Sequence, residues 1–171
     1  QFSHLHMQIC PQNRGQITPA LLVSLLDDYP DTSFRLHANV WLLEKLRIID
    51  LDSIMDEPEY LAALKDCQVA LGHPVYSLHP GVRQGRDIDW LTAQATRLQD
   101  YLGSPVAIEG MYPSRHHYFL STWLEYIALL ESDVCFALDF SHIKILCDHT
   151  RRIEHTLINE MLSSGRCLEI H

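Results

Sequence analysis

The sequence is short of positive charge. It carries 13 lysines and arginines against 22 acidic residues, a formal net charge of −9. A broad nucleic-acid surface needs clustered Lys and Arg to neutralise phosphates, so this balance argues against one while leaving room for a local basic groove. Long apolar runs are missing as well. None approaches the roughly 18 residues that cross a bilayer, so no membrane span is expected. No basic stretch followed by an apolar one opens the chain, so no signal peptide is expected. The chain begins at Gln1 rather than Met, and the expectation is a processed or trimmed start. Glycine-rich phosphate loops are absent: neither GxGxxG nor GxxxxGK[ST] occurs. The five cysteines, Cys10, Cys67, Cys135, Cys147 and Cys167, form no CxxC pair, which argues against a zinc knuckle or a thioredoxin-type motif. Their odd number, without a secretion signal, points to a reducing cytoplasm. Cys135 and Cys167 fall inside apolar strands and read as small core residues.

What the chain does have is histidine, eleven in 171 residues, and an ordered way of presenting it. Six strand-like segments end in a histidine or a carboxylate: HLHMQI (4–9), FRLHANV (34–40), VYSLHPG (75–81), VAIEG (106–110), VCFALDFSH (134–142) and CLEIH (167–171). Helix-like stretches lie between them. Residues 17–30 read as a helix with Thr18 at the N-cap, Pro19 at the first position and Pro30 beyond the end. Helical spacing predicts further helices over 41–49, 59–72, 88–103, 114–132 and 148–165, with Gly72 and Gly103 at C-terminal caps and Ser114 at an N-cap. The fifth strand is almost wholly apolar, as a parallel strand buried on both faces is.

Strict βα alternation predicts a parallel α/β architecture. An open doubly wound sheet would bind its ligand at one switch point, with a glycine-rich loop after the first strand. That loop is absent, and metal-type residues end nearly every strand, so the expectation is a TIM-type (β/α) barrel with outer helices. Residues 1–171 supply six of eight βα units as a single domain. The strand ending at His171 would leave an unpaired edge, so the last two units are expected to be missing from this sequence.

Each strand end has an ordinary reading beside the functional one. In SLHPG (77–81), His79 precedes a Pro-Gly exit turn that would hold its imidazole in the barrel mouth; the ordinary reading is a core histidine before a turn. In LDFSH (138–142), Asp139 and His142 stand three residues apart and can reach one centre; the ordinary reading has Asp139 capping the next helix. An unpaired buried Asp139 would be costly, so a partner or metal is expected there. Glu109 ends an apolar strand, and its ordinary reading is a turn residue. His37 and His171, in LHAN and LEIH, are each more often structural when taken alone. His116, His117, His149 and His155 read as helix residues and His73 as a loop residue. Trp41, Trp90 and Trp123 read as packing. Tyr112 and Arg115 could face substrate or solvent, and Arg83 and Arg86 could bind phosphate or be solvated.

Taken together, SLHPG, AIEGMYP, ALDFSH and LEIH resemble the xylose-isomerase-like TIM barrels, a superfamily that includes sugar isomerases and epimerases and the endonuclease IV type of AP endonuclease (AP endonuclease family 2). The resemblance covers nearly the whole chain. It implies one to three divalent ions, with ligands His37, His79, Glu109, Asp139, His142 and His171. Either His4 or His6 would match a first-strand histidine. Glu109 would also be the candidate for acid/base catalysis. Two departures stand out: Gly110 occupies the place of the usual Asn after the fourth-strand glutamate, and the ligands of a seventh strand and the glutamate of an eighth would follow His171. The resemblance implies a metal-dependent isomerase or epimerase acting on a small sugar-like substrate, with Zn, Mn or Fe ahead of Mg. The alternatives are an endonuclease IV-like phosphoester hydrolase, a multinuclear iron oxygenase on the same barrel, or a degenerate barrel without catalysis. Cytoplasmic localisation, no membrane partner and room for a homo-oligomer complete the expectations.

Overall fold

A computed structural model describes residues 5–10 and 15–171. Its elements alternate: β1 (His6–Ile9), α1 (Pro19–Asp28), β2 (Ser33–Leu36), a short 3-10 turn (Ile54–Asp56), α2 (Pro58–Ala70), β3 (Tyr76–Leu78), α3 (Ile88–Leu102), β4 (Val106–Glu109), α4 (Trp123–Glu131), β5 (Cys135–Leu138), α5 (Phe140–Thr150), α6 (His155–Ser163) and β6 (Cys167–Ile170). Every strand pairing is parallel and follows chain order. β1 pairs with β2, β3 to β6 form a second ladder, and a parallel bridge from His37 to Ser77 joins the two. The result is a partial α/β barrel, the fold expected. β3 and β4 are buried at every position, because helices cover the outside and the barrel fills the inside. No helix among the described residues is long and apolar enough to cross a membrane.

The caps explain where the helices begin. Thr18 accepts from the Leu21 amide with Pro19 at the first helical position, and Asp87 accepts from the Trp90 amide. Gly103 ends α3 at φ 65°, the left-handed conformation a helix C-terminus favours glycine for.

Three helix expectations need correction. Residues 41–49 are not helical. Asn39 takes a left-handed φ of 64° and its Oδ1 accepts from the Ile49 amide at 2.5 Å, so the segment closes as a loop over the barrel mouth. The helix expected from Ser114 starts only at Trp123. His117 and Leu120 both have positive φ, which breaks a helix, and Thr122 with Glu125 forms the real start. Thr122 accepts from the Glu125 amide while the Glu125 carboxylate takes the amides of Leu120 and Ser121, a variant of the capping box. The helix expected over 148–165 is two helices. α5 begins at Phe140, and Arg151 at φ 53° ends it before α6.

Candidate metal centre

In a strand, residues two apart share a face. That period turns Gln8, Arg35, His37, Ser77, Glu109, Glu169 and His171 toward the barrel axis, where their side chains meet. His79 stands one residue beyond β3, level with Glu109 at the end of β4, and Asp139 stands one residue beyond β5, two residues past Ala137, the partner of Glu109. The strand register carries past the strand ends: the His37 amide bonds Ile9 O, and the His171 amide bonds Leu138 O. Six chain segments therefore deliver their polar tips to the C-terminal mouth, where β/α barrels carry their sites.

Local turns hold these side chains in place. After His79, Gly81 has φ 82°, and a Cβ there would lie 2.2 Å from Asp52 Cγ. Asp52 in turn accepts from the Val82 amide, and His79 O accepts from the Leu51 amide, so the turn is pinned on both sides. Asp139 caps α5, its Oδ1 accepting from the amides of Ser141 and His142. The ordinary reading of Asp139 is therefore correct for one oxygen. The other, Oδ2, faces His142 Nε2 at 3.9 Å, because one helical turn brings residue 142 back over residue 139.

Glu109 is the hub, only 1% exposed. His37 Nε2 lies 3.0 Å and His171 Nδ1 3.1 Å from its Oε2; His142 Nδ1 lies 3.2 Å and His79 Nε2 3.7 Å from its Oε1. Burial pushes the Glu109 carboxyl up, but hydrogen bonds from His171 and His37 and the nearby His79 hold it well below the usual carboxylate range. Burial also pulls His79 down, and the carboxylates of Asp50, Glu109 and Asp139 together outweigh it and raise His79. His171 is bridged between Glu109 and, at 2.9 Å, Glu169; the two carboxylates raise it to about 10 against the pull of burial.

The donor set fits a cation. His37 Nδ1 bonds the carbonyl of Ala38, and a carbonyl only accepts, so Nδ1 carries a proton; without a second proton on Nε2 to donate to Glu109, Nε2 would turn its lone pair to that carboxylate. A lone pair facing a carboxylate oxygen at 3.0 Å is tolerable only with a positive charge between them, a proton or a metal ion. His142 Nδ1 donates to Gly110 O at 2.8 Å, which leaves its Nε2 free on the side of Asp139. Two groups have ligand atoms all within 4.8 Å of one another: His37, His79 and Glu109; and Glu109, Asp139 and His142. Glu109 belongs to both. Five of the six expected ligands are thus brought together. His171 lies in the same pocket, tied between its two carboxylates, and belongs to neither group. His6 lines a smaller cavity with Gln8, Arg35 and Glu169 and is outside both groups; His4 lies outside the described residues.

Neither a protein-family model nor a curated protein matches the chain. Solved structures do. A D-tagatose 3-epimerase-like protein aligns over 98% of this chain and 66% of its own, with a TM-score of 0.60 and 14% identity. A xylose isomerase domain protein from Planctomyces limnophilus aligns over 87% of this chain and 62% of its own, with a TM-score of 0.51 and 15% identity. A xylose isomerase-like TIM barrel/4-hydroxyphenylpyruvate dioxygenase fusion protein aligns over 97% of this chain and 26% of its own, with a TM-score of 0.60 and 14% identity. The chain has the xylose-isomerase-like TIM barrel fold. It spans less than two thirds of the length of each of these three chains.

Within that barrel, several site residues escape sequence reasoning. Asp50 stands 3.5 Å from His79 Nδ1 and receives a hydrogen bond from Asn39, so it orients the imidazole from behind. Glu169 accepts from Arg35 at 2.7 Å and Gln8 at 3.0 Å and forms the floor under His171. Its only signal was its place two residues before His171, on the same strand face. Cys10 also lines the pocket, with its thiol raised by burial and by the charges of Glu169 and Glu109. Arg83 and Arg86 are spent on structure. Arg83 pairs with Glu125, and Arg86 stacks on Trp90 at 4.1 Å and donates to Asp52 O.

Proposed function

We propose that this chain is a divalent-metal enzyme of the isomerase or epimerase kind, acting on a small sugar-like polyol at its barrel mouth. The observation that carries the reading is the buried Glu109 carboxylate shared by two ligand groups. In this reading His37, His79 and Glu109 hold one ion, and Glu109, Asp139 and His142 a second. His171, backed by Glu169, completes the set. The imidazole-rich donors favour Zn, Mn or Fe over Mg. When bound, such an ion acts as a Lewis acid on a carbonyl or hydroxyl of the substrate. The chain's own residues do the rest: Asp50 and the carbonyls of Ala38 and Gly110 fix which histidine nitrogens face the site. Glu109 is held ionised, so it serves better as a ligand than as the proton carrier its position first suggested.

The proposal includes a barrel that continues for two more βα units. Among the described residues β1 and β6 each pair with one neighbour, and Met7 and Ile170 are exposed on those edges. It also includes a cytoplasmic setting, supported by five free cysteines.

One rival has a specific observation behind it. A carboxylate common to two ion positions also suits a phosphoester hydrolase of the endonuclease IV kind. The net charge of −9 weighs against DNA as its substrate. Elemental analysis, followed by parallel assays for epimerisation of a sugar panel and cleavage of an abasic oligonucleotide, separates the two. Sugar turnover with the oligonucleotide intact is the expected result. Protein that takes up no metal after incubation with Zn²⁺, Mn²⁺ and Fe²⁺ would overturn both readings.

A further inference from the structure

A second cleft of about 340 Å³ opens beside the ligand groups and shares His79 and His142 with their pocket. Its far walls are apolar. Leu46 and Ile48 form one side; Met111, Tyr112 and Tyr118 form the other. Residues 46, 48 and 50 face the cleft, whereas Ile49 and Leu51 are buried on the opposite side of the same extended segment. This leaves Leu46 at 52% and Ile48 at 81% exposure, aimed across the mouth rather than into the core.

Both walls are fixed. Asn39 ties the Ile49 amide, and the Leu51 amide bonds His79 O. On the other side, the Phe119 amide bonds Gly81 O, the Arg83 amide bonds His117 O, and Val82 bridges Tyr118. The Tyr112 ring lies 4.8 Å from the His142 ring, so the apolar wall begins where the ligand group ends. Asn39 and Asp50 also line the cleft, but Leu46, Ile48 and Met111 offer a bare polyol nothing to bond, and such a ligand would leave them facing water.

We propose that this cleft receives an aryl arm of the substrate, whose oxygen-bearing end lies at the ligand groups. The inference rests on the metal-enzyme reading above and names the substrate class for it: a polyol or carbonyl compound carrying an aromatic substituent. The two walls grip the ring faces, and Tyr112 separates the arm from the reacting end.

Two chelating probes that differ only in their arm test this. Calorimetry on the zinc-loaded full chain compares benzohydroxamate with acetohydroxamate. Benzohydroxamate is expected to bind about tenfold more tightly or better, from burial of its ring. The double variant Leu46→Ser, Ile48→Ser is expected to bring the two probes within about twofold of each other, with acetohydroxamate binding and zinc content unchanged. Both substituted residues are exposed, so the fold survives. Zinc uptake with equal binding of the two probes, or a preference that persists in the double variant, overturns the aryl cleft alone. Absence of zinc uptake overturns the metal reading, and the aryl cleft with it.

Discussion

At the scale of single residues, the candidate centre depends on second partners as much as on the ligands. His79 can present Nε2 to Glu109 because Asp50 holds its Nδ1. The conservative change Asp50→Asn keeps an acceptor and removes the charge. It should weaken zinc binding by about 10–100-fold, the usual cost of losing an outer-shell partner, while the circular dichroism spectrum stays unchanged. Glu109→Gln should lose more than that, because it removes a ligand common to both groups. Equal zinc affinity in wild type and Asp50→Asn, measured by competition with a chelator, would remove Asp50 from the site. His171 supplies a pH test in the metal-free protein. Its folded pKa of about 10 lies above the ordinary 6.5, so its contribution to stability is complete below about pH 6.5 and is lost as pH rises through 10. Glu109 has the opposite sign: its contribution is present above its ordinary value of 4.5 and fades as pH falls below that. The melting-temperature difference between wild type and His171→Gln should therefore be flat below about pH 6.5, shrink steadily from there through neutrality, and be lost above about pH 10. A difference that is undiminished well above that pH would show that His171 is not held as an imidazolium.

At the scale of elements, Gly110 shows how closely α4 packs against the end of β4. An ideal Cβ at Gly110 would lie 2.3 Å from Tyr126 Oη and 2.5 Å from its Cζ. The Tyr126 hydroxyl donates to Met111 O from a buried position on α4, so the ring cannot withdraw freely. Gly110→Ala should therefore destabilise the protein by about 1–3 kcal/mol, the range for overpacking a filled core, measured by urea denaturation. An unchanged midpoint would mean that α4 can shift away from β4. The same pair of elements marks where the sequence was readable. Buried parallel strands are short apolar runs with turns after them, so β3, β4 and β5 and their polar tips stood out. The helix starts did not. The run from Ser114 has apolar residues at helical spacing, yet those residues serve a loop wall, with Phe119 and Leu120 buried in it. The signal that could have corrected the reading was Thr122 followed three residues later by Glu125, a capping pattern inside the supposed helix. Asp50 was illegible for a different reason: it lies in a loop whose path is set by Asn39, and nothing in the local pattern says that it returns to His79.

At the scale of the whole molecule, the ligand groups report on the barrel. Their members sit at or just beyond the ends of β2, β3, β4 and β5 and in the first turn of α5, from His37 to His142, and no short segment holds a complete group. An unfolded chain therefore binds metal far less well than the folded one, and binding free energy becomes folding free energy. The open edges at β1 and β6 do not weaken this logic, because both groups sit on strands away from those edges. For one site at a free zinc concentration 100 times its dissociation constant, the stabilisation is about 2.7 kcal/mol. In a domain of this size each kcal/mol moves the melting temperature by roughly 2–4 °C, so the expected rise is roughly 5–11 °C. The rise should vanish on adding a chelator, be smaller in Asp50→Asn at the same zinc concentration, and be absent in Glu109→Gln. Magnesium should give a smaller rise than zinc, because imidazole nitrogens are poor ligands for it. A melting temperature that zinc leaves unmoved would mean that the charge held between His37 and Glu109 is a proton, and that the histidine cluster is a structural ion network in the barrel mouth.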